Sequence, residues 1–189
     1  DGVGLPIRVE KREGDGFIVS SERGNIHLIF ERAGHVPLPP YMKREDTPED
    51  KERYNTIFAK EEGSSAAPTA SLNLTEEMLN ELRSKGVEIV EVELRVGWGT
   101  FAPIRTEEIE EHKLHKEYIV VTDEQEDRIN ARIHAGGKVW AFGTTVARTL
   151  ESASEKENGA WEVDDFYGYT DLYIYPGYEW KIVDHLITN

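Results

Sequence analysis

The stretch KVWAFGTTVAR, residues 138–148, decides the fold. Lys138–Phe142 is an apolar run with the length of a buried strand, and Gly143–Thr145 follows it directly. Val146–Ser154 then continues with apolar residues at helical spacing. A strand that leads into a helix through a short turn is the building unit of α/β domains. The segment therefore predicts an α/β fold.

Further helices and strands are predicted on both sides of this unit. The predicted helices are residues 76–85, a short one opening at Thr106–Ile109, and Asp123–Ala135; the predicted strands are Tyr54–Ala59, Val87–Val96, Tyr118–Val121 and Asp171–Tyr175. Thr75 is a suitable N-cap for the first of these helices. Glu155–Tyr169 is polar and is predicted to be a loop. This succession favours helices packed on a sheet.

The N-terminal part has a different pattern. Leu5–Val9, Gly16–Val19 and Ile26–Phe30 are short apolar runs separated by turn residues, and they predict three strands. Three short strands do not close a core, so they indicate part of a small β-domain. Pro37–Pro40 favours an extended segment, and Arg44–Arg53 is predicted to be a solvated loop.

Composition excludes several classes of protein. The 189 residues include no cysteine, which excludes disulfides, thiolate catalysis and zinc sites built on sulfur. No apolar run approaches the roughly 20 residues of a membrane span, and no signal peptide is visible, so we expect a cytoplasmic protein. A first residue Asp1 indicates processing or an artificial boundary. The net charge of −15 repels nucleic acid at long range, so an RNA contact would need a local basic patch.

The glycine turn is a candidate anion site. Gly143, Thr144 and Thr145 place free amides and two hydroxyls at the start of a helix, where carboxylates and phosphates bind. Arg148 lies about one turn further along and could reach the same anion. An ordinary turn, with threonine as the N-cap and Arg148 on the surface, is the alternative.

The segment Glu111–Glu117 contains two histidines, His112 and His115, three residues apart between acidic residues. On a helix they would share a face and could act as an acid/base pair or bind a metal. The spacing differs from that of zinc-protease helices and no third ligand is marked, so no metal site is predicted. Solvated or partly buried histidines are the alternative.

Two more segments have residues that suit a ligand pocket. Ala66–Asn73 is small and polar enough for close backbone approach, although a linker has the same composition. Tyr173–Tyr178 carries tyrosines that could stack on a base, although such rings more often fill a core. Asp184, near the end of the chain, is a weak acid/base candidate.

Together these segments resemble the S-adenosylmethionine:tRNA ribosyltransferase-isomerase family of queuosine biosynthesis. The resemblance extends from about Ile26 to the end, and its segments follow the family order. They are Pro37–Lys43, Arg53–Ala59, Ala66–Ala70, Val96–Phe101, Glu111–Glu117, Gly143–Thr145 with Arg148–Glu151, and Tyr175–Tyr178 with Asp184 and Leu186–Asn189.

The resemblance implies a tRNA-modifying enzyme. Such an enzyme transfers and isomerises the ribosyl part of S-adenosylmethionine onto the aminomethyl-deazaguanine base at the tRNA wobble position. The product is epoxyqueuosine, and adenine and methionine are released. The implied fold is an α/β domain, a mixed sheet with flanking helices, preceded by strands of a small β-barrel domain. Residues 1–32 would be the remnant of that barrel, and residues 33–189 the α/β domain.

The resemblance also suggests roles for the candidate residues. His112 and His115 would move protons or contact the base, and the carboxylate of methionine would be held by Gly143, Thr144, Thr145 and Arg148. The substrate-binding set is Pro68, Thr69, Asn73, Gly143, Thr144, Thr145, Arg148, Tyr175 and Asp184. S-adenosylmethionine is expected as a substrate, tRNA as the partner, and neither a metal nor a membrane. We expect the glycine turn and the two imidazoles to share one pocket.

The chain departs from the family pattern at three places. Ser71–Thr75 stands where the family has Gly-Leu-His-Phe-Thr, Arg95 where it has a histidine, and Val146-Ala147 where it often has Ser-Val. Segments that the family has before the barrel and after Asn189 are absent, so the α/β domain is expected to be incomplete and a second chain could complete it. A truncated, diverged or engineered non-catalytic scaffold of the same fold is therefore the alternative. A third possibility is an S-adenosylmethionine or nucleotide binder that acts on another amine.

Overall fold

A computed structural model describes residues 7–13, 16–21, 26–60, 63–97 and 115–189. The chain divides into two compact units, residues 1–37 and 38–189. The predicted helix at Thr106–Ile109 lies outside the described residues. Helices and several small sheets make up the described part, which is consistent with an α/β fold.

The first unit contains a hairpin and a helix. Strands β1 (Arg8–Glu13) and β2 (Gly16–Ser20) pair antiparallel. Helix α1 covers Ile26–Ala33, so the strand predicted at Ile26–Phe30 is wrong. A run of five mostly apolar residues fits the period of a helix as well as that of a strand, and in the helix Ile29 is the buried residue. No closed barrel occurs among the described residues of this unit.

A three-stranded antiparallel sheet lies in the second unit. Its strands are β3 (Glu93–Arg95), β4 (Glu117–Val121) and β8 (Phe166–Thr170), and β4 lies between the other two. The strand predicted at Tyr118–Val121 is confirmed. Of the predicted strand Val87–Val96, only β3 forms, because residues 87–92 have no pairing partner in the described part of the chain.

A parallel pair of short strands adjoins a buried helix. Strand β5 (Trp140–Phe142) pairs with β9 (His185–Ile187), and helix α5 (Thr144–Ser152) follows β5 after a single residue, Gly143. The helix therefore begins two residues before the predicted Val146. It packs against β3, β4, β5 and β9, which joins the two sheets.

The predicted polar loop at Glu155–Tyr169 is wrong. Strands β6 (Ser154–Glu157) and β7 (Ala160–Val163) form a hairpin there, and β8 follows. The two residues between the strands are Asn158 and Gly159, with φ of 48° and 92°. Positive φ at both positions is typical of the tight turn that matches the twist of a hairpin, and Asn-Gly is its usual sequence.

The two longer predicted helices are confirmed. Helix α3 covers Glu76–Ser84, and the Thr75 hydroxyl accepts a hydrogen bond from the Met78 amide at 3.2 Å. Helix α4 covers Asp123–His134 and begins with a reciprocal capping box between Thr122 and Gln125. Such caps satisfy amides that the first turn leaves without partners.

The solvated loop predicted at Arg44–Arg53 is partly ordered. A short helix, α2, covers Asp50–Arg53, and the Asp50 side chain is buried. Its carboxylate accepts hydrogen bonds from both terminal nitrogens of Arg44 and from the amide and hydroxyl of Thr47. The Arg44 guanidinium in particular holds the pKa of Asp50 well below its usual range.

Two predicted strands are wrong because local hydrogen bonds replace pairing. At Tyr54–Ala59 the Asn55 carboxamide accepts from the Thr56 amide at 3.0 Å and the chain turns. At Asp171–Tyr175 the Thr170 hydroxyl accepts from the Leu172 amide at 3.1 Å, and the chain leaves the sheet. Side chains of this kind compete with regular structure for backbone groups.

The core of the second unit surrounds α5. Its buried members are Val121, Ile129, Ala141, Ala147, Leu150, Ala153, Val163, Ile182 and Val183. Burial of these apolar groups fixes α5 against both sheets, and so fixes the turn at which the helix begins. Within the described ranges, no helix has the length and apolar character needed to cross a membrane.

Candidate functional site

The turn at Gly143 lies at the carboxyl ends of the two parallel strands. Gly143 follows β5, and its amide donates to the carbonyl of Ile187, the last residue of β9, at 2.8 Å. Its φ of 105° and ψ of 150° suit glycine, and it occupies the N-cap position of α5. The turn therefore combines two features that bind anionic ligands in α/β proteins, strand carboxyl ends and a helix N-terminus.

The predicted segment Ala66–Asn73 folds against this turn. A 3₁₀ turn covers Thr69–Ser71, and Ser71 is buried. A methyl group placed on Gly143 would lie 3.6 Å from Cβ of Ala70 and 3.4 Å from Oγ1 of Thr145. The structure thus brings Ala70, the residue after Pro68 and Thr69, against Gly143, so this part of the segment is not a free linker.

Replacing Gly143 by alanine is expected to cost about 1–3 kcal/mol, because its backbone conformation is strained for any residue with a Cβ. Urea unfolding measures the loss. Gly97→Ala is the matched control. The φ of Gly97 is not in the left-handed region, and the atom nearest to an added methyl group would lie 4.0 Å from it. Equal stability of the two variants would show that the Gly143 conformation is not needed.

Arg148 forms a buried ion pair rather than a surface contact. Its Nη1 donates to Oε2 of Glu117, and the two side chains are only 13% and 8% exposed. Its Nη2 donates to the carbonyls of His115 at 3.4 Å and Thr170 at 3.3 Å. Nε is buried and has no partner among the described residues. The alternative of a solvated Arg148 is therefore wrong, and so is the alternative of threonine as N-cap, because Gly143 holds that position.

The structure describes only one of the two candidate histidines. His115 has an exposed side chain, and its carbonyl contacts Arg148, one turn along α5 from the glycine turn. His112 lies outside the described residues. A pocket shared by both imidazoles and the glycine turn stays a prediction.

Asp184 lies at the other end of the parallel strands. Its carboxylate accepts from Nζ of Lys138 at 2.7 Å and from the Val139 amide at 2.9 Å, just before β5 begins. The Lys138 ammonium, followed by the Val139 amide, lowers the pKa of Asp184. Three strand residues span about 10 Å. Asp184 is therefore not brought beside Gly143, and it fixes the start of the strand pair instead.

Two other substrate-binding candidates have contacts of their own. Tyr175 is half-buried, with its ring centroid 5.7 Å from that of Tyr173. Asn73 is exposed, between the 3₁₀ turn and the first residue of α3. The described contacts place neither side chain against Gly143.

Two buried carboxylates, Glu151 and Glu117, were not among the predicted site residues. Glu151 has no exposed surface, and its oxygens accept from the Tyr178 hydroxyl and from the amides of residues 181, 182 and 183 at 2.9–3.0 Å. Burial and this carboxylate raise the pKa of Tyr178. Glu117 is the partner of Arg148. The sequence contained a signal for both, since Glu151 lies four residues after Ala147 on the apolar face of the helix, and Glu117 lies two residues before buried Ile119 on the same face of the strand.

One described acidic cluster has carboxylate oxygens close enough to share a cation. Glu126, Asp164 and Asp165 place one oxygen each within 4.8 Å of one another. Asp165 also donates its amide to Glu126 at 2.9 Å, and burial raises the pKa of Glu126. Exposed acidic groups at this spacing are common without a metal, so the cluster does not define a metal site.

The sequence is similar to known proteins along nearly its whole length. The family model described as queuosine biosynthesis protein matches residues 5–189. An S-adenosylmethionine:tRNA ribosyltransferase-isomerase from Desulfitobacterium hafniense is 49% identical over 177 residues, which are 94% of this chain and 50% of that protein. The protein of the same name from Chlorobaculum parvum is 46% identical over 187 residues, 98% of this chain and 55% of its own length.

A solved structure is also similar. The crystal structure of S-adenosylmethionine tRNA ribosyltransferase from Thermotoga maritima is 32% identical and aligns with a TM-score of 0.45, covering 62% of this chain and 34% of that one. The chain spans about half the length of the curated relatives it matches. Because the family model covers residues 5–189, the chain belongs to the queuosine biosynthesis protein family.

Proposed function

We propose that the chain carries part of the catalytic α/β domain of an S-adenosylmethionine:tRNA ribosyltransferase-isomerase. The observation that carries this proposal is the 49% identity with a relative of that name across 94% of the chain. At this level of identity the substrate-binding residues of the shared half are expected to serve the same reaction.

The proposed reaction joins the ribosyl part of S-adenosylmethionine to a tRNA base. The amine of the aminomethyl-deazaguanine base attacks the ribosyl carbon beside the sulfonium. Rearrangement gives epoxyqueuosine in tRNA, and adenine and methionine leave. The protein must hold methionine's carboxylate, orient the ribosyl group and move protons.

The glycine turn is proposed to hold the carboxylate. The amides of Thr144 and Thr145 lie in the first turn of α5, where intrahelical acceptors are lacking and the helix dipole favours a negative charge. Pro68 and Thr69, which precede Ala70 in sequence, are proposed to form one wall of the pocket, with Asn73 extending it. The 3.6 Å approach of Ala70 to a methyl on Gly143 supports this arrangement.

Arg148 is proposed to position this site. Its charge is already compensated by Glu117, so an anionic ligand gains less from Nη1 than from free amides. Its contact with the His115 carbonyl instead keeps the histidine segment against α5. From there His112 and His115 would transfer protons or contact the base.

The remaining candidates are proposed to act at longer range. Asp184 keeps the parallel strands in register through Lys138 and Val139, so that their carboxyl ends meet at the glycine turn. Tyr175 would contact the base from the C-terminal segment.

Residues 1–32 are proposed to be the remnant of a β-barrel domain and residues 33–189 the α/β domain. A second chain could complete the fold, and a tRNA substrate would place the protein in the cytoplasm.

Adenine release tests the proposed function. The chain is incubated with S-adenosylmethionine and tRNA that carries the precursor base, and adenine and epoxyqueuosine are quantified by mass spectrometry. We expect equal amounts of both products, and none from tRNA with guanine at that position. A folded chain that releases no adenine would contradict the proposal and favour a non-catalytic scaffold. Turnover of the free base in place of tRNA would indicate another amine substrate.

A further inference from the structure

The three-stranded sheet has two chemically different faces. Along β4, the side chains of Glu117, Ile119 and Val121 are buried on the face that α5 covers. Tyr118 and Val120 alternate with them and therefore lie on the opposite face. The strand register places Arg95 directly across from Tyr118 on one side, and Tyr169 across from it on the other.

Arg95, Tyr118 and Tyr169 form a continuous row on that outer face, called the tyrosine row here. The Arg95 guanidinium carbon lies 5.4 Å from the Tyr118 ring centroid. The Tyr118 and Tyr169 centroids are 5.3 Å apart, with the rings at 74° to each other. A glutamate on the same face, Glu93, accepts from Nε of Arg95 at 2.5 Å and orients the guanidinium.

The row is open to solvent at its end. Tyr169 is 67% exposed, and Tyr167, two residues earlier on the same face, is 56% exposed. Tyrosine has a high strand propensity, and that preference accounts for single exposed rings. It does not account for two open rings on β8 next to Tyr118, whose neighbour on the other side is a planar cation. Together they line the outer face of the sheet with aromatic rings and one guanidinium.

We propose that the tyrosine row is a stacking platform for unpaired RNA bases. The proposal rests on the proposed function, because the wobble base belongs to a loop of unpaired nucleotides. Sequence-tolerant recognition of such nucleotides uses exposed aromatic rings on a sheet, often beside arginine guanidinium planes. The overall charge of −15 weakens long-range attraction to RNA, and the one cation of the row, Arg95, is paired with Glu93, so the affinity of the platform is expected to come from stacking rather than from phosphate contacts.

Tyr169→Ala tests the platform. The RNA probe is the anticodon stem-loop with 2-aminopurine at one unpaired loop position at a time, because stacking quenches that fluorophore. We expect binding to weaken about 5- to 100-fold and quenching to be lost at one or more positions. The slope of affinity against salt should stay unchanged, since no ionic contact is removed.

Two control variants separate stacking from other effects. Tyr169→Phe keeps the ring and removes the hydroxyl, so affinity and quenching should stay within about twofold of the unchanged protein. Trp161→Ala removes an exposed ring from the β6–β7 hairpin, a different sheet, and should likewise have no effect. Circular dichroism confirms that each variant is folded.

The outcomes distinguish the two proposals. Loss of affinity and quenching in Tyr169→Ala only would support the platform. RNA binding that Tyr169→Ala leaves unchanged would overturn the platform and leave the proposed function in place. A protein that binds none of the stem-loops, with the tyrosines intact, would overturn both.

Discussion

Replacing Glu151 by alanine is expected to lower the free energy of unfolding by about 3–5 kcal/mol, because several hydrogen-bond donors lose their acceptor. The carboxylate is fully buried and accepts four hydrogen bonds, three of them from consecutive backbone amides. Removing it leaves the buried amides of Ile182 and Val183 without an acceptor, at about 1–3 kcal/mol each, and also removes the acceptor of two part-buried groups, the Lys181 amide and the Tyr178 hydroxyl. Urea unfolding followed by circular dichroism measures the change.

Two further variants make the Glu151 prediction specific. Glu151→Gln keeps the shape of the side chain but replaces one acceptor oxygen by a donor. We therefore expect its free energy of unfolding to lie between that of the alanine variant and that of the unchanged protein. Glu155→Ala removes an exposed carboxylate and should change stability by less than about 0.5 kcal/mol. A loss of less than about 1 kcal/mol in Glu151→Ala would contradict the structural role given to this carboxylate.

The second large effect is expected from Arg148→Met. Methionine keeps much of the aliphatic packing but removes the cation that pairs with the buried Glu117 carboxylate, and loss of one partner of a buried ion pair typically costs about 3–5 kcal/mol. Arg128→Met is the matched control, because Arg128 is 41% exposed in its ion pair with Glu88 and should cost less than about 1 kcal/mol. Urea unfolding again gives both values.

A double variant separates charge from packing. Glu117→Gln combined with Arg148→Met removes both charges, so it should recover at least half of the stability that the single change loses. The neutral carboxamide needs no cation partner, and its carbonyl oxygen can still accept from the Gly97 amide as the carboxylate of Glu117 does. If the double variant were less stable than Arg148→Met, an uncompensated charge would not explain the loss.

Calorimetric titration of the double variant with S-adenosylmethionine then addresses ligand binding. A positioning role for Arg148 predicts affinity within about threefold of the unchanged protein, whereas a direct bond to the carboxylate predicts a loss of about tenfold or more.

The best predicted elements carry their own boundary signals. Helix α3 begins after Thr75, whose hydroxyl caps it, and α4 ends before the glycines 136 and 137. From Tyr118 on, strand β4 is a short run of β-branched and aromatic residues, which favour a strand. In these cases local propensity and tertiary packing favour the same structure, so the sequence pattern was sufficient.

The wrong predictions occur where the signal was short or was overlooked. Ile26–Phe30 is long enough for a strand and too short to show a helical period. Asn158-Gly159 is a strong hairpin signal inside a stretch whose polar composition suggested a loop. At Asp171–Tyr175 an apolar run has no strand to pair with in the described structure, and pairing rather than composition decides whether a strand forms.

The glycine turn of the candidate site could be predicted from the sequence, but the long-range ion pairs that hold it in place could not. The Gly143–Thr145 turn is a local feature, and its residue types indicate its chemistry. The pairing of Arg148 with Glu117 joins residues 31 positions apart in sequence, and the Asp184–Lys138 contact joins residues 46 apart. Such partners follow from the order of strands in the sheets, which a single sequence leaves open.

The crystal structure of the chain with S-adenosylmethionine bound tests the central claim most directly. We expect the methionine carboxylate within hydrogen-bond distance of the Thr144 and Thr145 amides, with Pro68 and Thr69 in contact with the ligand. A ligand bound elsewhere on the chain, with both amides remote from its carboxylate, would contradict the site proposed at the Gly143 turn.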